Sequence, residues 1–174
     1  MNRYIILLRG VNVGGKNLLP MKELKALLEN NGFNNVTTYI QSGNLLLSDH
    51  EHPEKKISEL IQIHFGFTPE TLVLTEEEFK LALSSCPFQE VKNKLVHFYF
   101  CKDSPKTDTT KILALASQTE RFELLGKLFY LYAPDGIGRS KLVANIESCL
   151  GVRATGRNLN TINKLHEMIS KEST

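Results

Sequence analysis

Val36-Thr37-Thr38-Tyr39-Ile40-Gln41 and Asn44-Leu45-Leu46-Leu47-Ser48, joined by Ser42-Gly43, form the stretch on which the fold turns. The first run is rich in β-branched and aromatic residues, the second in aliphatic ones, and the glycine between them supplies the positive φ of a two-residue hairpin turn. Helix signals flank the hairpin on both sides. Upstream, Pro20 opens a helix whose Met21, Leu24, Leu27 and Leu28 share one face, and Gly32 ends it. Downstream, Pro53 opens a second helix with Ile57, Leu60, Ile61, His64 and Phe65 on one side, which makes His64 a packed residue. An apolar strand, Asn2 to Arg9, precedes this set and a shorter one, Thr71 to Leu74, follows it. Thr75 with Glu78 three residues on is a capping box that starts a further helix. The first half therefore reads β-α-β-β-α-β with an extra helix.

The second half repeats that order without residue identity. Lys94 to Cys101 is a strand; Asp108 opens a helix with Ile112, Leu115 and Ala116 inward; Arg121 to Leu125 and Leu128 to Tyr132 form a hairpin across Gly126-Lys127. Ser140 then starts a helix with Leu142, Val143, Ile146 and Leu150 apolar and Gly151 as its stop, and a short strand and a helix over about Asn160 to Ile169 finish the chain. The fold class is α+β, with duplicated ferredoxin-like (β-α-β-β-α-β) repeats each followed by an extra helix. The repeats are expected at 1–86 and 94–174, with 87–93 as linker. In this topology the first and second strands of a repeat run parallel and the third runs back. The loop Gly10 to Leu19 and the turn Gln41 to Asn44 should then meet at one edge of the first sheet. In the second repeat, the segment Pro134 to Lys141 should approach Thr155 to Asn158 at the opposite edge.

Bulk composition excludes several classes. The 174 residues carry 21 Lys and Arg against 19 Asp and Glu, a net charge of +2, so any nucleic-acid claim rests on local patches. Cys86, Cys101 and Cys149 are far apart and form no C-x-x-C pair, which argues against a disulfide framework and a zinc site and fits a reducing cytoplasm. The N-terminal apolar run Tyr4 to Leu8 is too short for a signal segment or a membrane span, so a cytoplasmic protein with no membrane partner is expected.

The clearest functional clue is Arg9-Gly10-Val11-Asn12-Val13-Gly14-Gly15-Lys16-Asn17, one residue away from the P-loop pattern G-x-x-x-x-G-K-[ST]. Glycines let backbone N–H groups turn toward a phosphate, and the lysine adds a point charge. Asn17 stands where the magnesium-holding hydroxyl belongs, and Pro20 falls where a Walker helix would be in its first turns. The pattern favours anion binding over nucleotide hydrolysis. Arg9, Gly10, Asn12, Gly14, Gly15 and Lys16 form one wall, with Ser42 and Asn44 of the facing turn as hydrogen-bonding groups. The segment around Arg139, Ser140 and Lys141 enters a helix, and Arg157 and Asn158 precede the last one, so both offer amides and positive charge to an anion. Ser140 as an N-cap is the competing reading for the first segment, and at the second Asn158 or Asn160 serves as cap with Arg157 left to face a partner.

Four blocks in order, LLRGVNVGGKN, TYIQSGNLL, GIGRSKL and TGRNLNTINKL, resemble the signature blocks of a bacterial family of conserved proteins of unknown function. The resemblance covers almost the whole chain. It implies tandem ferredoxin-like repeats and assigns no activity. Gly156 and Leu159 depart from it, since relatives carry a threonine and a tryptophan at those places, which puts a stacking aromatic at 159 in doubt.

The remaining features are weaker. The rows Val96-His97-Phe98-Tyr99-Phe100 and Leu128-Phe129-Tyr130-Leu131-Tyr132 alternate across two central strands, which reads as core packing or, in the competing view, as a base-stacking sheet face. His50 and His52 lack a third convergent ligand, so no metal is assigned. No Ser-His-Asp or Cys-His pattern is present, no catalytic residue is assigned, and no cofactor is called for. The leading function is recognition of a phosphate-bearing or other anionic ligand, a small molecule or a nucleic-acid backbone. An enzyme acting on a small phosphorylated metabolite and a non-catalytic scaffold are the alternatives.

Overall fold

The computed structural model describes residues 1–172. The chain divides into two compact units, Met1–Leu81 together with the residues from Ile169 onward, and Ala82–Met168. Each contains a four-stranded antiparallel sheet with helices.

In the first unit, β1 (Asn2–Arg9), α1 (Met21–Asn30), β2 (Asn34–Tyr39), β3 (Asn44–Asp49), α2 (Glu54–Phe65), β4 (Glu70–Thr75) and α3 (Glu76–Ser84) follow in chain order, and the sheet order is β2-β3-β1-β4. β1 pairs antiparallel with β3 and β4, with Ile6 opposite Leu45 and Val73. One face of the central strands, Tyr4, Ile6, Leu8, Leu45 and Leu47, packs with Leu24 and Leu28 of α1 and Ile57 and Ile61 of α2. On the other face Ile5, Leu7 and Leu46 are also buried, which is why β1 reads as a continuous apolar run. Pro20 is the N-cap of α1, so the helix starts one residue later than the proline suggests, and Gly66 ends α2 in the left-handed region. The capping box forms as read: Glu78 N donates to Thr75 Oγ1 at 3.2 Å and Thr75 N to Glu78 Oε2 at 2.8 Å. His64 is exposed in the last turn of α2, a correction to its placement on the packed face: Ile57 and Ile61 define the buried stripe, and His64 falls outside it.

In the second unit a short 3-10 turn, Asn93–Leu95, stands where strand was expected from Lys94, followed by β5 (Val96–Cys101), α4 (Thr109–Leu115), β6 (Arg121–Leu125), β7 (Leu128–Tyr132), α5 (Lys141–Ala144), α6 (Ile146–Leu150), β8 (Ala154–Asn158) and α7 (Leu159–Glu172), whose residues from Ile169 belong to the first unit. Its sheet order, β6-β7-β5-β8, repeats that of the first unit. The β6–β7 hairpin closes across Gly126-Lys127 with Leu125 opposite Leu128, as its composition predicts. The helix read from Ser140 is instead two short helices separated at Asn145, whose backbone leaves the helical region (φ −120°). Before the sheet, the Phe88 ring lies 6.0 Å from that of Tyr132, and Gln89 donates to the Cys86 carbonyl at 3.2 Å.

Among the described residues no helix is long and apolar enough to cross a membrane.

Candidate functional site

The hairpin turn of the first unit is longer than two residues. Tyr39 pairs with Asn44, leaving Ile40 to Gly43 as a four-residue connection with Ile40 at φ 48° and Gly43 at φ 87°. A β-branched residue in the left-handed region is strained, and four hydrogen bonds, two of them from β1 and the β1–α1 loop, hold the turn there. Leu8 N donates to Gly43 O at 2.8 Å, Asn12 Nδ2 donates to Gln41 O at 2.7 Å, and Asn44 Nδ2 donates to Tyr39 O at 3.1 Å and to Ser42 Oγ at 2.9 Å. The β1–α1 loop and this turn are thus adjacent, as the topology required.

The loop itself is a small hairpin. Lys16 N donates to Val13 O at 3.0 Å and Asn12 N to Asn17 O at 3.1 Å, so Gly14 and Gly15, at φ 59° and 72°, are the two central residues of a turn of the I′ kind. Asn12 and Asn17 also have positive φ, a conformation asparagine tolerates better than most residues. The Asn17 side chain donates to Gly10 O at 3.1 Å. Asn12 anchors the loop at both ends, accepting from Leu19 N at 2.7 Å through Oδ1 and donating to Leu19 O at 2.9 Å as well as to Gln41 O. No helix follows Gly15-Lys16; α1 starts only at Met21, so the phosphate-cradling geometry of a P-loop is absent.

These facts sort the first cluster. Asn12 and Asn44 are structural: Asn12 stitches loop to turn, and Asn44 is fully buried with its amide on Tyr39 and Ser42. Both side chains thus have protein partners within this edge. Gly10, Gly14, Gly15, Lys16 and Ser42 are exposed and Arg9 is half-buried. A Cβ built on Gly14 or Gly15 meets nothing within 4 Å. Among the described residues the amides of Gly14 and Gly15 have no protein acceptor and Lys16 has no ion-pair partner. Three exposed aliphatic side chains, Val13, Leu18 and Ile40, stand beside these groups.

In the second unit, Tyr132 and Asn158 both pair at the start of β5, with Val96 and His97, so the loops following β7 and preceding α7 leave the sheet at one end. Ser140 Oγ accepts from Val143 N at 3.1 Å and donates to Glu120 Oε2 at 2.6 Å, which makes it a cap and a tether. Asn158 Oδ1 accepts from Thr161 N at 3.0 Å and caps α7. Both residues thus form the helix caps that the sequence offered as one of their readings. Arg157 lies on β8 opposite Phe98, donating to Gly156 O at 2.9 Å, and burial lowers its pKa to about 10. Arg139 and Lys141 are exposed, but α5 has four residues, too few for a useful macrodipole. Sequence reasoning missed Glu120 and Asp135 here. Thr119 Oγ1 donates to Asp135 Oδ2 at 2.5 Å, and with Glu120 on Ser140 these carboxylates offset the positive charge of the cluster.

The aromatic rows are core. Phe98 and Tyr130 meet edge to face at 4.9 Å, Tyr99 packs with Phe129 and the helices, and Phe98, Phe129 and Tyr130 are at most 1% exposed, so no base-stacking platform is presented. Tyr130 Oη donates to Ala82 O at 2.6 Å. Burial raises all three thiols, Cys101 to about 11, which leaves no activated cysteine nucleophile. His52 packs edge-on against Tyr4 with ring centroids 5.9 Å apart.

No protein of curated function matches the chain. It is similar to the solved structure of the conserved bacterial protein SP0830 from Streptococcus pneumoniae, with 26% identity, a TM-score of 0.67, and coverage of 96% of this chain and 98% of that one. Residues 1–130, which hold the β1–α1 loop, the facing turn, β5, β6 and the first part of β7, match the model described as "Protein of unknown function (DUF1697)", and the protein belongs to that family.

Proposed function

We propose that the protein recognises a phosphate-bearing anion, a nucleotide or a nucleic-acid backbone, at the hairpin loop of the first unit. One observation carries this reading: two consecutive glycine amides without a protein acceptor stand next to Lys16, a cation without an ion-pair partner among the described residues. The loop from Arg9 to Pro20 also contains no acidic residue. Amides on a turn fixed by Asn12 and Asn17 need no reordering to meet an oxygen, so less entropy is lost on binding. Gly10, Ser42 and Arg9 border the same rim. The identical strand orders β2-β3-β1-β4 and β6-β7-β5-β8 support reading each unit as a ferredoxin-like repeat, a frame in which a β1–α1 loop and a β2–β3 turn share one edge. Arg139 and Lys141 offer a second and weaker surface.

The test is thermal unfolding against inorganic phosphate, nucleotides and sugar phosphates. A ligand of the native state raises the midpoint by mass action, and Lys16→Ala should abolish that rise. Absence of a shift with every anion sinks the reading and favours a scaffold, for which the structural duties of Asn12, Asn44 and Ser140 already speak. Turnover of a bound phosphate ester would move the protein to the enzymes.

A further inference from the structure

A cavity of about 530 Å³ in the first unit, lined by Arg3, Glu29, Asn35, Val36, Thr37, Ser48 and Glu172, lies apart from the loop. Its size falls within the range of small-molecule sites. One end is built as a carboxylate receptor. The Arg3 side chain is only 15% exposed; its Nη1 donates to Ile169 O at 3.1 Å and lies 3.9 Å from Oε2 of Glu76, and its Nη2 bonds Oε2 of Glu172. The other oxygen of that carboxylate, Oε1, accepts from Thr37 Oγ1 at 3.1 Å. A guanidinium on one oxygen and a hydroxyl on the other satisfy a carboxylate with charge-assisted hydrogen bonds. The rest of the cavity is wider than one carboxylate needs, and Val36 is its one apolar lining residue.

The opening has a backbone cause. β2 and β3 pair at Asn34 with Ser48 and again at Thr37 with Leu46, so two residues of β2, Asn35 and Val36, stand against Leu47 alone. This is a bulge on an edge strand, with Asn35 at φ 51° taking the left-handed conformation, and bulges of this kind re-aim side chains at the margin of a sheet. Asn35, Thr37 and Ser48 are thereby brought to one wall, with Glu29 at the end of α1 on another.

We propose that this cavity binds a small carboxylate that also carries a hydroxyl or amino group, and that Glu172 is its internal competitor. The ligand carboxylate takes the place on Arg3 and Thr37 that Glu172 fills, while Glu29 and Ser48 accept from the hydroxyl or amine. Because Glu172 must leave first, its presence lowers the apparent affinity by the fraction of molecules in which the receptor is closed. The site does not depend on the phosphate reading of the loop, and shares no residue with it.

The experiment is a titration of the full chain with L-serine and L-malate, followed by calorimetry and by the Arg3 side-chain Nε signal in NMR. Glu172→Ala and Glu172→Gln should each bind at least one probe tenfold or more tighter than the unsubstituted protein, with the Arg3 signal shifting, and adding Thr37→Val to Glu172→Gln should cut that gain at least threefold. Glu172 is near the end of α7 and its side chain is 31% exposed, so both single variants should fold. Failure of both probes to bind either Glu172 variant, or equal affinity with and without Glu172, overturns the proposal.

Discussion

The side-chain amide of Asn12 reaches the carbonyl of Gln41 at 2.7 Å while both its polar atoms also bond the backbone of Leu19. One residue thus fixes the β1–α1 loop and the β2–β3 turn as a single rigid edge. Asn12→Ala removes all three bonds and leaves a positive φ to a residue poorly suited to it. Loss of about 2 kcal/mol is expected from the part-buried bonds, read as a lower denaturant midpoint. Retention of full stability would show that loop and turn are held by other contacts.

Glycines at this edge differ in kind. A Cβ on Gly43 would lie 2.7 Å from Val11 Cγ2 and 2.8 Å from Leu8 Cβ, at φ 87°, whereas Gly15 has open space. Gly43→Ala therefore combines overpacking with backbone strain and should cost about 3 kcal/mol, against about 1 kcal/mol for Gly15→Ala, where only the strain applies. Equal effects of the two substitutions in chemical unfolding would contradict the packing account.

Much of the architecture was legible because it rests on local chemistry. The Thr75–Glu78 capping box, the Asp108 cap, the Gly126-Lys127 hairpin and the Gly151 stop all depend on residues a few positions apart. The misreadings have a common cause in distant partners. The Ser42-Gly43 turn lengthened because Leu8 and Asn12 bind it from another part of the chain, and the tether of Ser140 to Glu120 spans twenty residues. His64 was misplaced for a different reason: it sits at the margin of the apolar stripe, where periodicity does not decide burial. The cavity beside Arg3 could not be read at all, since a bulge and a residue 169 positions distant create it.

Tyr99 leaves no room for a side chain at position 156. Its ring lies over Gly156, its cross-strand partner, so closely that a Cβ there would be 2.8 Å from Cε1. Gly156→Thr alone should cost about 2 kcal/mol through overpacking, and pairing it with Tyr99→Val should recover about 1 kcal/mol or more relative to the sum of the single changes. A double-mutant cycle in urea measures the coupling, and strict additivity would refute the steric link.

His97 gives stability a pH dependence. It is 8% exposed, and burial lowers its pKa below the ordinary 6.5. The unfolded chain then binds a proton that the folded one refuses, so this contribution is fully present above about 6.5 and is lost as pH falls through that value toward the depressed one. Unfolding midpoints between pH 8 and 5 should decline more steeply for the unsubstituted protein than for His97→Gln. Parallel profiles would remove His97 as the cause.

Anion binding at the Gly14-Gly15-Lys16 turn is tested most directly by backbone amide NMR during titration with inorganic phosphate and then a nucleotide. Saturable shifts of the Gly14 and Gly15 amides, abolished in Lys16→Ala and weakened by added salt, are the predicted result. Amides of Gly14 and Gly15 that stay unmoved by either anion, or that move identically without Lys16, would contradict it.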